Sequence, residues 1–283
     1  MMRSSNQDSP VIVGIDGSCA ALSAAEFAVD EAISRDVPLC LVYVVNTMGA
    51  ALFSSAERNE RQFAETSLRT AVAVIQSVGK PVRIDTMLIG GRASDALAVE
   101  SRGASLICVG TGQLTTTARS STAIRIAEQA LCPVLIVRKP HSDQASDLAA
   151  LENLAEGRSW KTAQQRWIAV SINGSYDNRD VVDHAMREAR LRHLPVLAVS
   201  TWPQNLSDGM HHELDRRVAC LREHYRDVHI YPVTTHARIC RFVARCHEPI
   251  ALTVIGSAES KQAVRLCTSS ADTGSSLLVV RKR

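Results

Sequence analysis

Residues 11–45 of this 283-residue chain recur at 168–202, with a constant offset of 157 and no gap. Ten of the thirty-five paired positions are identical: Val13/Val170, Ile15/Ile172, Gly17/Gly174, Ser18/Ser175, Ala28/Ala185, Glu31/Glu188, Ala32/Ala189, Arg35/Arg192, Pro38/Pro195 and Val42/Val199. Whatever the first copy folds into, the second must be able to fold into as well. A repeat of this length is a whole domain and not one unit of a solenoid, and the chain length suits two such domains. A polar stretch after residue 138 separates the copies. The expected organisation is a first domain at 8–140, a linker at 141–165 and a second domain at 166–283, with 148–154 able to form a short helix in the linker.

Each copy opens in the same way. Residues 10–15 form a short continuous apolar run, the pattern of a strand buried on both faces. Asp16-Gly17-Ser18 interrupts it, and the Ser18 hydroxyl is placed to cap a helix beginning just after it. Residues 20–34 are alanine-rich with helical spacing. Pro38 restarts the chain into a second apolar strand at 39–45. Further along, the periodicity predicts a helix at 57–77, a strand at 82–89 ended by Gly90-Gly91, and a helix at 94–101. A strand at 106–109 ended by Gly110, a helix at 124–130 and a last strand at 134–137 complete the copy. Five strands alternating with four helices predict an α/β domain, a mostly parallel, doubly wound sheet. Ligands bind such sheets beyond the carboxyl ends of the strands, where the winding reverses. If the first and fourth strands are neighbours there, the loops at Asp16-Gly17-Ser18 and after Gly110 flank the crevice.

Composition narrows the function classes. The net charge of +3 lies wholly after Pro140, where nineteen basic residues face sixteen acidic ones, against thirteen of each before it. No basic stripe is visible, so nucleic-acid binding is not expected. Aromatic residues are only 4% of the chain, which makes the core aliphatic. No apolar run approaches the roughly 20 residues of a membrane span, and the N-terminal decapeptide is polar, so a cytoplasmic protein with no membrane partner is expected. Eight cysteines show no two-residue spacing of a zinc knuckle or redox dithiol, and they read as buried, reduced thiols.

Val13-Gly14-Ile15-Asp16-Gly17-Ser18, Val42-Tyr43-Val44-Val45, Ile107-Cys108-Val109-Gly110 and Cys132-Pro133-Val134-Leu135-Ile136-Val137-Arg138 together resemble the universal stress protein family. The likeness covers nearly all of the first copy. In the second it is clear at 167–202 and 252–256. The two-copy layout is similar to that of tandem members. The resemblance implies two five-stranded sheets, each in the order 3-2-1-4-5, and dimers, or a pseudo-dimer within one chain, joined through the last strands. It implies ATP as a cofactor of one branch, with Mg accompanying the nucleotide and no other metal site. There, an Asp after the first strand meets adenine, and a loop of the form Gly, two residues, Gly, nine residues, Gly, then Ser or Thr holds phosphates. Carried onto this chain, the site residues are Asp16 with Gly14 and Val44 around the base, and Gly110, Gly112, Ser120 and Ser121 at the phosphates.

The chain departs from the pattern. Gln113 stands at the second glycine position, beside Gly112, and Ser120-Ser121 stand where Gly-Ser belongs, three residues early. The hydroxyls of 115–117 and Arg119 suit an anion, and equally suit a solvated loop. In the second copy Asn173 replaces the Asp. Gly256 remains, but residues 257–261 hold no glycine, and Glu259 would repel phosphate. His236, Cys240, Cys246 and His247 lie close in sequence without a convergent ligand spacing, so no metal site is assigned there. Gly-x-Ser-x-Gly is absent and Asp16 has no evident partner, so no catalytic residue is assigned. Three functions are compatible with these expectations. The first is a stress-response regulator that binds ATP in domain one and signals through association state. The second is a nucleotide-independent interaction scaffold, and the third a slow ATP hydrolase.

Overall fold

The computed structural model describes residues 9–46, 55–111, 117–138, 166–172, 178–201, 209–261 and 275–281. In chain order the elements are β1 (Val11–Ile15), α1 (Cys19–Arg35), β2 (Leu39–Val45), α2 (Ser55–Ser77), β3 (Ile84–Gly90), α3 (Ala93–Glu100), β4 (Leu106–Thr111), α4 (Thr117–Gln129) and β5 (Val134–Arg138). The second half continues with β6 (Trp167–Ser171), α5 (Arg179–Arg192), β7 (Val196–Thr201), α6 (Gly209–His224), β8 (Ile230–Thr235), α7 (Ile239–Arg245), β9 (Ile250–Gly256) and β10 (Ser276–Val280).

The expected strand order holds in both halves, and the two five-stranded sets join edge to edge. One ten-stranded sheet results, ordered β3-β2-β1-β4-β5-β10-β9-β6-β7-β8. All its pairings are parallel except the central one. There β5 runs antiparallel to β10 with Leu135 opposite Leu278. Both last strands are apolar, and left unpaired they would be exposed hydrophobic edges. Pairing them satisfies their backbone and buries Leu135 and Leu278 to 1% exposure each.

The local rules explain the first turn of each half. The Ser18 hydroxyl accepts from Ala21 N at 3.2 Å, capping α1. Helices α1 and α5 both end on a non-glycine left-handed residue, Asp36 and His193, each at φ 53° and 157 positions apart. The repeat is thus reproduced down to its helix stops. Helices α1, α2, α5 and α6 cover one face of the sheet, and α3, α4 and α7 the other. The core is aliphatic, with small alanines on α1 (Ala21, Ala24, Ala25, Ala28 and Ala32) letting that helix lie close to the strands.

Several boundaries differ from the sequence reading. Helix α4 begins at Thr117, seven residues before the expected 124, because the hydroxyl-rich stretch carries no apolar period. Strand β3 begins two residues late, at Ile84. The possible helix at 148–154 lies outside the described residues. Cys40, Cys108 and Cys132 are buried thiols as expected, but Cys19 and Cys220 are exposed, both on helix faces turned away from the core.

Candidate functional site

Strand β1 lies between β2 and β4, with Gly14 opposite both Val42 and Val109. The chain leaves β1 toward α1 on one face and leaves β4 toward α4 on the other, so a crevice opens where these connections part. It is a cavity of about 230 Å³. Its floor is Gly14, Val42, Val44 and Val109; α3 contributes Ala93 and Leu97; α4 contributes Thr122 and Ala123; Ile15, Asp16, Ser18, Ala21, Tyr43 and Gly110 form the rim.

Four of the seven expected site residues, Gly14, Asp16, Val44 and Gly110, are therefore brought together. Gly112 lies outside the described residues. Ser120 and Ser121 fall within the first two turns of α4. Sequence reasoning missed Leu97, Thr122 and Ala123. The signal for Ala123 was present, since Ala123, Ile126, Ala127 and Ala130 are all buried at helical spacing.

The two glycines have different physical reasons. A methyl group on Gly110 would sit 2.1 Å from the Ala20 carbonyl oxygen, so this glycine allows α1 to press its backbone against β4. A methyl group on Gly14 would meet only the Leu97 and Val109 side chains, at 3.2 and 3.5 Å, and would project into the cavity. Gly17 adopts φ 80°, and a side chain there would strike Phe63. This sharp turn holds Asp16 at the rim, where Oδ1 accepts from Ser18 N at 2.9 Å.

Electrostatically the cavity is simple. Among its lining residues Asp16 is the one carboxylate, and no Lys or Arg takes part. The Tyr43 hydroxyl is held in its neutral form above the usual range by burial, then by the nearby Glu60 and Asp16 charges. Largely apolar walls with one carboxylate and the hydroxyls of Ser18, Tyr43 and Thr122 suit a flat, uncharged ring bearing an N–H donor. They do not suit an anion. At about 230 Å³ the cavity lies below the roughly 300–1,000 Å³ common for ligand pockets, so a ring would enter and a larger ligand's remainder would lie outside.

The second half has the same frame, with polar side chains where the first half has small ones. Gly14 is matched by Ser171 and Ala21 by Asn178, both 157 positions on. Ser171 Oγ donates to Glu259 Oε1 at 3.2 Å. Asn178 Nδ2 donates to the Ser171 carbonyl at 2.8 Å. Glu259 reaches in from a 3-10 turn after β9, and burial raises its carboxyl above the usual range against the opposing effects of Ser171 and Arg238. Gly256, the counterpart of Gly110, is no longer forced by packing, since a methyl there would meet Val181 at an ordinary 3.6 Å. Asn173 lies outside the described residues. Among the described residues no group of three or more metal-ligating side chains converges, and no helix is long and apolar enough to cross a membrane.

These features define a class: a tandem, doubly wound α/β protein with a cavity at the switch point of its first half. Comparison with known proteins gives the family. The universal stress protein family model matches residues 9–138. The universal stress protein Rv2624c of Mycobacterium tuberculosis is 39% identical over 261 residues, covering 90% of this chain and 88% of its own. The chain belongs to the universal stress protein family. A universal stress protein from Archaeoglobus fulgidus has the same fold over the whole length, with a TM-score of 0.68 at 10% identity, 98% of this chain and 97% of its own being covered. Another universal stress protein, solved in complex with cAMP, aligns with 46% of this chain and 96% of its own at 24% identity and a TM-score of 0.38.

Proposed function

We propose that this universal stress protein binds one adenine nucleotide per chain, ATP with its Mg, in domain one. The carrying observation is the cavity beside Asp16, with its largely apolar walls and one carboxylate, while the equivalent positions of the second half carry Ser171 and Asn178 engaged in hydrogen bonds. The adenine ring would slot between Val42, Val44 and Leu97, with its exocyclic amine donating to Asp16. The cation-free walls send the phosphates outward, toward the amino end of α4, whose first-turn N–H groups favour anions. Ser120, Ser121 and the residues around Gly112 then become the phosphate side. The domain limits in this reading are 8–140 and 166–283, and the setting is the cytoplasm.

The output is a change in association state and not turnover, because Asp16 faces the base end and no other carboxylate lines the cavity to act as a base. Strand β5 is already paired with β10, so contact with a second chain must use another surface. A nucleotide-free scaffold is favoured by one observation, the hydrogen-bonded Ser171, Asn178 and Glu259 at the second half's switch point, and describes that half well.

The test is a thermal-shift and calorimetric titration with ATP and Mg. Binding at 100 times the dissociation constant raises stability by about 2.7 kcal/mol, with one site per chain. The shift disappears in Asp16→Ala and survives in Asn173→Ala. No shift at millimolar ATP would turn the reading over to the scaffold.

A further inference from the structure

We infer that Glu31 and Glu188 hold one proton between them at the junction of the two halves, and that this proton sets how α1 grips α5. The two glutamates are repeat partners, and they are 0% and 1% exposed. Arg35 Nη1 donates to Glu31 Oε2. Arg192 Nη2 crosses between the halves to Glu31 Oε1 at 2.6 Å, and reaches Glu188 Oε2 at 3.1 Å within its own helix. The two carboxyl groups thus converge on one guanidinium and lie close enough for each to act on the other's charge. An ionised carboxylate has no donor. Two buried carboxylates held this close repel each other, and one proton placed between them turns that repulsion into a hydrogen bond.

The geometry chooses the carrier. Glu31 receives both arginines, and Glu188 only one, at longer range. Burial would raise the Glu31 carboxyl, but Arg35, the Glu188 hydrogen bond and Arg192 hold it below the usual range. Burial pushes Glu188 up to about 8, supported by the charge and hydrogen bond of Glu31 and opposed by Arg192 and Arg35. From α5, His184 and Arg187 also lie near, with Asp180 and Asp183 beyond them. From the strands beneath, the charged quartet meets the Cys108 thiol, which burial keeps protonated. Phe27 offers its ring to Arg192, 3.6 Å from the guanidinium carbon.

A second arrangement is built in. Arg35 Nη2 is buried without a hydrogen-bond partner among the described residues. When Glu188 releases its proton to solvent, its new charge repels Glu31 and is attracted to this unmatched donor. The quartet then passes from a carboxyl–carboxylate bond to a pair of crossed ion pairs.

The sign is set by linkage. Glu188 binds its proton more tightly in the folded than in the unfolded chain, so this contribution is full below about pH 4.5 and is lost as pH rises through about 8. Infrared difference spectra of the whole protein at pH 6.5 should contain a protonated-carboxyl band that Glu188→Gln removes. In parallel, the ratio of wild-type to Glu188→Gln unfolding constants should rise about tenfold per pH unit between pH 5 and 8. Glutamate carboxyl-carbon titration of the unaltered protein by NMR reads the same proton if the variant does not fold. Absence of a band that Glu188→Gln removes, or parallel stability curves, or a wild-type titration with no glutamate above pH 6, would overturn the inference.

Discussion

Gly14 and Gly110 are one strand apart on the same cavity, yet substitution should separate site from fold. Gly14→Ala places a methyl group in the cavity against two movable side chains. We expect nucleotide affinity to fall at least about tenfold while stability changes by less than about 1.5 kcal/mol, as read by calorimetry and by chemical denaturation. Gly110→Ala drives a methyl group into the α1 backbone at Ala20, which cannot yield without moving the helix. It should cost about 3 kcal/mol or more, in the absence of any ligand. Lost binding in Gly110→Ala therefore says little about phosphate contacts. Sequence alone could not divide the two roles, because both glycines stand at strand ends, and only the closeness of α1 distinguishes them. Asp16 was legible, since it precedes a turn glycine at the end of a buried strand. Leu97 and Thr122 were not, since nothing in the local sequence says that α3 and α4 converge on that strand.

Among the elements, the strands were the easiest to place, because a parallel strand buried on both faces reads as an unbroken aliphatic run. Helix α4 was half hidden. Its first turns, 117–121, carry hydroxyls and an arginine instead of an apolar stripe, so no helical period marks them. Helices α1 and α5 carry opposing pH dependences where they meet. Burial, then Arg187 and Arg35, push the His184 imidazole down to about 4. The unfolded chain accepts a proton below its ordinary value of 6.5 that the folded chain refuses until about 4. Stability present above pH 6.5 is therefore lost as pH falls toward 4, by roughly 3 kcal/mol. His184→Phe repeats the residue that stands at the matching position of α1, Phe27, and should flatten this acid limb in a melting-temperature series from pH 4 to 7. Glu31→Ala leaves Arg35 without its ion pair in the same interior, while Arg192 keeps Glu188, and should cost about 3–5 kcal/mol at pH 7, measurable by denaturant titration.

For the molecule as a whole, the repeat fixed the existence of two like halves before any coordinates. Their fusion into one ten-stranded sheet was visible only as two apolar last strands in need of partners. The central pair is the join, so damage there should be felt in both halves at once. Leu135→Ala removes a fully buried side chain facing Leu278. It should cost about 2–5 kcal/mol, and hydrogen exchange should quicken in β4 and β9 together and not in β5 alone. A loss confined to the first half would mean that the two halves unfold as separate units. Because β5 and β10 run in opposite directions, the carboxyl ends of the parallel strands point to opposite poles in the two halves. A small molecule seated beside Asp16 therefore sits at the pole away from Glu259, and the two ends of the molecule differ in charge and lining although the repeat made them from one pattern.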